Sequence, residues 1–159
     1  MNTAVGKSVR RKEAWDKVTG RAKYTDDFPI AGVLSARLLT SAHAHARIRG
    51  IDISGALALE GVKAVLTGAD CPELFGPLTR DRPALARDVA RYAGEPVALA
   101  VAQDDYTAER AVRLIRVEYE PLPISLTPSQ SLAWGAPLIH AQVNGYRKNA
   151  PDIHPEPGT

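Results

Sequence analysis

Cysteine is almost missing: Cys71 is the only one in 159 residues. An internal disulfide is therefore excluded, and this chain alone cannot assemble a cysteine-built zinc or iron–sulfur centre. Such usage suits a reducing compartment. Aromatics are scarce as well, at 6%, so the apolar mass is Ala, Val, Leu and Ile. That favours close helix-on-sheet packing over an aromatic-lined ligand pocket. No run approaches the roughly 18 apolar residues of a membrane span, and the basic stretch 1–23 lacks the apolar centre of a signal peptide. The sequence reads as cytoplasmic.

Chemical motifs are equally thin. Neither Gly-x-x-x-x-Gly-Lys-[Ser/Thr] nor Gly-x-Gly-x-x-Gly occurs, and the twelve glycines are scattered singly, as turn and cap residues would be. There is no Gly-x-Ser-x-Gly elbow, and Cys71 precedes Pro72 with no histidine near it in sequence. The carboxylate pairs Asp26-Asp27 and Asp104-Asp105 are explained by a turn and by a helix start, where acidic groups meet the helix dipole favourably. His43 and His45, one residue apart, would project to the same face of a strand and could offer two zinc or copper ligands. No second local cluster supplies a third ligand, so histidines at a strand end or an interface are the plainer reading. His140 and His154 lie in a loose C-terminal stretch and are poor ligands.

What is present is ordinary globular material, 45% hydrophobic and 24% charged, at the length of one domain. The net charge of +2 hides an asymmetry. Residues 1–23 carry seven basic against two acidic groups, and the rest carries thirteen basic against sixteen acidic. A basic arm can grip an acidic partner. No nucleic-acid-binding motif accompanies the charge, so nucleic acid is not expected as a partner, and neither is a membrane.

Residues 1–32 read as an extended arm, with Lys23-Tyr24-Thr25 as a short edge strand. A strand is expected over 33–40, where Leu34, Ala36 and Leu38 alternate with Ser35 and Arg37, and Leu39 breaks the alternation. Two strand–helix–strand units follow. The first runs from Ile51-Asp52-Ile53 through a short helix capped by Ser54 to Gly61 and the strand 62–66. The second begins with Val97–Ala102, apolar at every position and thus a strand buried on both faces. It continues through a helix capped by Asp104 or Asp105, with Ala108, Ala111, Val112 and Ile115 on one face, to the strand 116–120. Thr127-Pro128-Ser129-Gln130 is a capping box for a last short helix, closed by Gly135. Residues 67–95 hold Pro72, Pro77 and Pro83 without a period and read as a functional or interface segment. Residues 136–159 read as an extended linker. The expected architecture is α/β (α+β): a layered sheet with short helices packed on it, over 33–135. Whether its strands pair parallel or mixed is open.

Four ordered blocks resemble a known family: Asp16-Lys17-Val18-Thr19-Gly20-Arg21-Ala22-Lys23-Tyr24-Thr25-Asp26-Asp27, Ser41-Ala42-His43-Ala44-His45-Ala46-Arg47-Ile48, residues Gly61 to Asp70, and Tyr92-Ala93-Gly94-Glu95-Pro96-Val97-Ala98. They are similar to the molybdopterin-binding subunit of xanthine dehydrogenases and aldehyde oxidases, and specifically to its N-terminal α/β hammerhead domain. The likeness spans about residues 5 to 159, with Ala42 where the family commonly has proline. It implies a part of an enzyme that oxidises an aldehyde or N-heterocycle, whose cofactor-binding and catalytic residues follow this domain. No catalytic, cofactor or metal residue is therefore assigned here, and Glu95 is read as structural. The resemblance implies molybdopterin, 2Fe-2S clusters and often FAD in the complete enzyme, bound by the remaining molybdopterin region and by iron–sulfur and flavin subunits or domains. Candidate contacts to those partners are Arg10, Arg11, Lys12, His43, His45, Arg80, Arg82, Arg87 and Arg91. The alternatives are a free-standing protein-binding or assembly module, and a metal-binding protein built on His43 and His45.

Overall fold

The computed structural model describes residues 5–76 and 80–140, so most of the expected linker, 141–159, lies outside the described residues. The chain divides into two compact units, Met1–Val33 and Leu34–Thr159. The first is not uniformly extended. Helix α1 (Ala14–Val18) ends at Thr19, whose N–H reaches Trp15 O, and Gly20 turns the chain at φ +71°. The expected edge strand at Lys23-Tyr24-Thr25 is instead a 3-10 turn, Thr25–Asp27. Asp27 Oδ2 accepts from Tyr24 N at 2.9 Å, and a short acidic side chain that bonds nearby backbone competes with strand pairing. No residue of either helical turn is buried.

The second unit holds eight described strands in three sheets. β1 (Ser35–Thr40), β2 (Ala46–Asp52), β3 (Val62–Thr67), β4 (Leu74–Phe75), β5 (Arg82–Pro83), β6 (Val89–Ala90), β7 (Pro96–Ala102) and β8 (Arg116–Pro121) form the orders β1-β7-β3, β6-β2-β8 and β4-β5. Every pairing is antiparallel. Both strand–helix–strand units exist, but each passes from one three-stranded sheet to the other: β2 leads through α2 (Ser54–Leu57) to β3, and β7 through α3 (Asp105–Leu114) to β8. A parallel crossover within one sheet needs a dozen or so connecting residues, and the four-residue α2 is too short for one. Strand β1 starts two residues later than the alternation suggested.

The core lies between the β1-β7-β3 sheet and the helices. Ala98, Ala100, Ala102, Ala108 and Ala111 are completely buried, with Val65 and Ile115 beside them and Leu39, Ile51, Ile53 and Val112 packed around. Alanine on both partners brings helix and sheet close. The helix starts where its cap dictates: Asp104 Oδ1 accepts from Thr107 N at 2.7 Å and Oδ2 from the Thr107 hydroxyl at 2.9 Å. Arg37 of β1 grips Asp105 through Nε (2.6 Å) and Nη2, tying the edge strand to the helix start. Ser54 is not a cap but the first helical residue. Ile53 is the N-cap, and the Asp52 carboxylate accepts the Ser54 N–H at 2.9 Å. Last comes α4 (Pro128–Leu132), where Thr127 and Gln130 exchange backbone bonds as a capping box and Gly135 follows at φ +74°.

The described residues of 67–95 are more closely fastened than the lack of period suggests. Leu85, Ala86 and Ala90 are buried, Ala86 N donates to Pro96 O at 2.7 Å, and Ile48 N donates to Asp88 O at 2.9 Å. Gly68 permits this closure, since a Cβ there would stand 2.8 Å from Arg87 Cα.

Two outcomes test this packing. Ala100→Leu should cost about 1–3 kcal/mol by urea denaturation, as overpacking does in a filled core. The acid limb of stability follows from carboxyls held below the usual range, among them Asp104 by the Thr107 backbone N–H, Asp70 by the Thr67 backbone N–H, and Asp105 by the Arg37 guanidinium. Their ionised forms are favoured in the folded state. Their contribution is full above roughly pH 5 and is lost as the pH falls through about 4 and below. The melting temperature should drop over that interval, and Asp104→Asn should flatten the drop.

Candidate functional site

The histidine pair is not on a strand. Residues 42–45 form a run of bends before β2, so no strand alternation aligns the two rings. His45 is buried, and its Nδ1 lies 2.7 Å from Pro123 O, which fastens the chain after β8. That ring is turned inward and is no surface contact. His43 is half-buried and its ring leans on Tyr119, with centroids 4.8 Å apart. Burial pushes the Tyr119 phenol above its ordinary value, and Ser41 opposes this by hydrogen bonding. Among the described residues, no three His, Cys, Asp or Glu side chains gather where a metal could be held.

Arg10, Arg11 and Lys12 are exposed in the first unit, where Arg11 pairs with Glu13 at 3.0 Å. In the second unit Arg80, Arg82 and Arg87 are exposed, and Arg91 is partly buried. The structure brings Arg82 and Arg91 together at a cavity of about 470 Å³, whose wall also includes Asp81, Tyr92, Glu95 and His140. His140 was not a candidate from sequence. No local motif joins it to the Tyr92–Pro96 block.

Glu95 shapes one wall of that cavity. Its carboxylate is buried and accepts from the Arg91 backbone N–H, while Arg91 Nη1 stands 3.8 Å from it and donates to Val89 O at 3.1 Å. Gly94 sits at φ +90°, Glu95 N donates to Tyr92 O, and Ser41 exchanges backbone bonds with both Gly94 and Glu95. The Tyr92–Pro96 block is thus a fastened turn that delivers the chain into β7. The two guanidinium groups at the cavity are offset by Asp81 and Glu95. One buried donor, Arg91 Nε, lacks an acceptor, but a single N–H is no cradle for a molybdopterin. The residues described do not fit that cofactor.

A second feature is a surface. Strand β7 was expected to be covered on both faces. Its Ala98, Ala100 and Ala102 are buried on the helix side; on the opposite face Val97 is buried as well, but Leu99 and Val101 are only half-buried. Opposite them in register stand Leu38 and Leu66, and Ala36 and Ala64. That face of the sheet is apolar and partly open.

A sequence profile described as "Aldehyde oxidase and xanthine dehydrogenase, a/b hammerhead domain" matches residues 19–123. The chain belongs to that family. The hammerhead domain is 40% identical over 143 residues to the xanthine dehydrogenase molybdenum-binding subunit of Escherichia coli O157:H7, a match that takes in 82% of this chain and 19% of that protein. It is 37% identical to the carbon monoxide dehydrogenase large chain of Afipia carboxidovorans, covering 87% of this chain and 18% of the other. Among solved structures, the aldehyde oxidoreductase of Desulfovibrio gigas superposes with a TM-score of 0.72 at 31% identity, over 82% of this hammerhead domain and 16% of that chain. The domain thus spans under one fifth of the length of each of these three relatives. No helix among its described residues is long and apolar enough to cross a membrane.

The fastened turn gives a direct test. Glu95→Ala leaves the partly buried Arg91 backbone N–H without its acceptor and should cost about 1–3 kcal/mol in urea denaturation. Glu95→Gln, which keeps an accepting oxygen, should cost less.

Proposed function

We propose that this hammerhead domain is the N-terminal scaffold and interface part of a molybdenum hydroxylase of the xanthine dehydrogenase and aldehyde oxidase type. The observation that carries the reading is the match itself: relatives named as molybdenum-binding or large subunits contain this domain in under one fifth of their length.

In this reading the complete enzyme oxidises an aldehyde or an N-heterocycle, with molybdopterin in the region beyond the domain. Electrons leave through 2Fe-2S clusters, often to FAD, in other domains or subunits, and the assembly works in the cytoplasm. This domain supplies no step of the reaction. Its part is to hold a fixed shape against its neighbours. Arg80, Arg82, Arg87 and Arg91 contribute charged contacts from the second unit, and Arg10, Arg11 and Lys12 from the first. Rim charges of this kind set orientation and rate of docking more than affinity.

Molybdenum analysis and a hydroxylation assay with an artificial electron acceptor, both on the purified 159-residue chain, test the reading. Neither stoichiometric molybdenum nor turnover is expected from the chain alone, and both are expected from the assembly that contains it. Molybdenum bound one-to-one by the chain, or turnover by it, would overturn the scaffold role.

A further inference from the structure

The side of the β1-β7-β3 sheet away from α3 is composed as an interior and is left partly open. Two rows cross all three strands in register. One is Leu38–Leu99–Leu66, the other Ala36–Val101–Ala64. Neither contains a polar side chain. Leu38 is 50% exposed, Ala36 is exposed, and the other four are half-buried. The first row continues the alternation of Leu34, itself 47% exposed. An antiparallel sheet that faces water on one side normally alternates apolar-in with polar-out. Here the pattern is reversed in bulk: one side of β7 carries the buried alanines, and the other carries the buried Val97 followed by the half-buried Leu99 and Val101. The contrast with the other three-stranded sheet is internal to the same domain. The outer side of β2 and β8 bears Arg47, Arg49, Glu118 and Glu120, with Glu120 paired to both arginines.

We infer that this open sheet side is covered by the remaining portion of a molybdenum-binding large subunit, through an apolar and uncharged surface. The inference rests on the scaffold reading above. Size favours this occupant over a second copy. With strands about 4.8 Å apart and residues about 3.3 Å along each, the two rows make a patch of roughly 150–200 Å². A stable interface between separate proteins buries about 800 Å² per partner. A patch this small holds a neighbour only when other contacts or a tether keep that neighbour close, since tethering supplies an effective concentration near millimolar. The relatives provide that situation, because more than four fifths of their length lies outside the matched domain.

Thiol labelling tests the assignment. In a Cys71→Ser background, Leu38→Cys is treated with a maleimide in the free chain and in the molybdenum-containing assembly. Ala36→Cys repeats the measurement at an exposed position, where the added sulfur is well tolerated. Labelling in the assembly is expected to be slower by about tenfold or more, the reduction that about 1.4 kcal/mol of occlusion gives. Equal rates in the two states overturn the inference and leave the scaffold reading intact, because the molybdenum polypeptide is present. Slow labelling already in the free chain, together with a dimer mass, overturns it in favour of a second copy. Absence of any molybdenum-binding polypeptide from the assembly removes the scaffold reading, and the inference falls with it.

Discussion

Helix Asp105–Leu114 lies close on its sheet because Ala98, Ala100 and Ala102 place nothing beyond Cβ between them, and Ala108 and Ala111 answer from the helix. Dispersion and area burial reward this closeness, and the absence of larger side chains leaves no rotamer to misplace. Other parts of the second unit depend on that contact. The Asp104 cap and the Arg37–Asp105 pair fix where the helix begins, and Ile115 closes its far end against Val65 and Ala56. A strand that gives its small residues to the helix has its large ones left for the other side. The open leucine and valine rows are therefore a consequence of how the core is built.

The same economy governs the polar side chains of the described residues. Its conspicuous polar side chains are spent on fastening loops. His45 holds the segment after β8, Glu95 holds the turn before β7, Asp70 holds the end of β3, and Ser41 ties the start of the bends to that turn. Each is satisfied locally by backbone, which suits positions that must be rigid and have no proton to move.

Much of this was legible in the sequence, for physical reasons that differ by element. The helix over Asp105–Leu114 announces itself through Ala108, Ala111, Val112 and Ile115 on one face and an aspartate at its start. The Thr127–Gln130 box and the glycine turns at 61 and 135 are equally local signals. Pairing is not local. Nothing in a strand's own residues tells which sheet receives it, so the two strand–helix–strand units could be found without showing that each bridges two antiparallel sheets. The histidine pair failed for a related reason: alternation holds only on a strand, and bends at 42–45 abolish it. The cavity at Arg82, Arg91 and His140 joins residues far apart in the chain and left no mark on any short stretch. The apolar run Val97–Ala102 marks a strand, but burial on both faces is met only in part: Ala98, Ala100 and Ala102 are buried, as is Val97, while Leu99 and Val101 are half-buried.

Native mass spectrometry of the molybdenum-containing fraction from cells that make this protein addresses the central claim most directly. The account predicts that the hammerhead sequence is found there, within a particle several times larger than the 159-residue chain and carrying molybdenum on polypeptide outside residues 1–159. A free chain of this size that carries molybdenum itself, or a molybdenum fraction devoid of the hammerhead sequence, would contradict it.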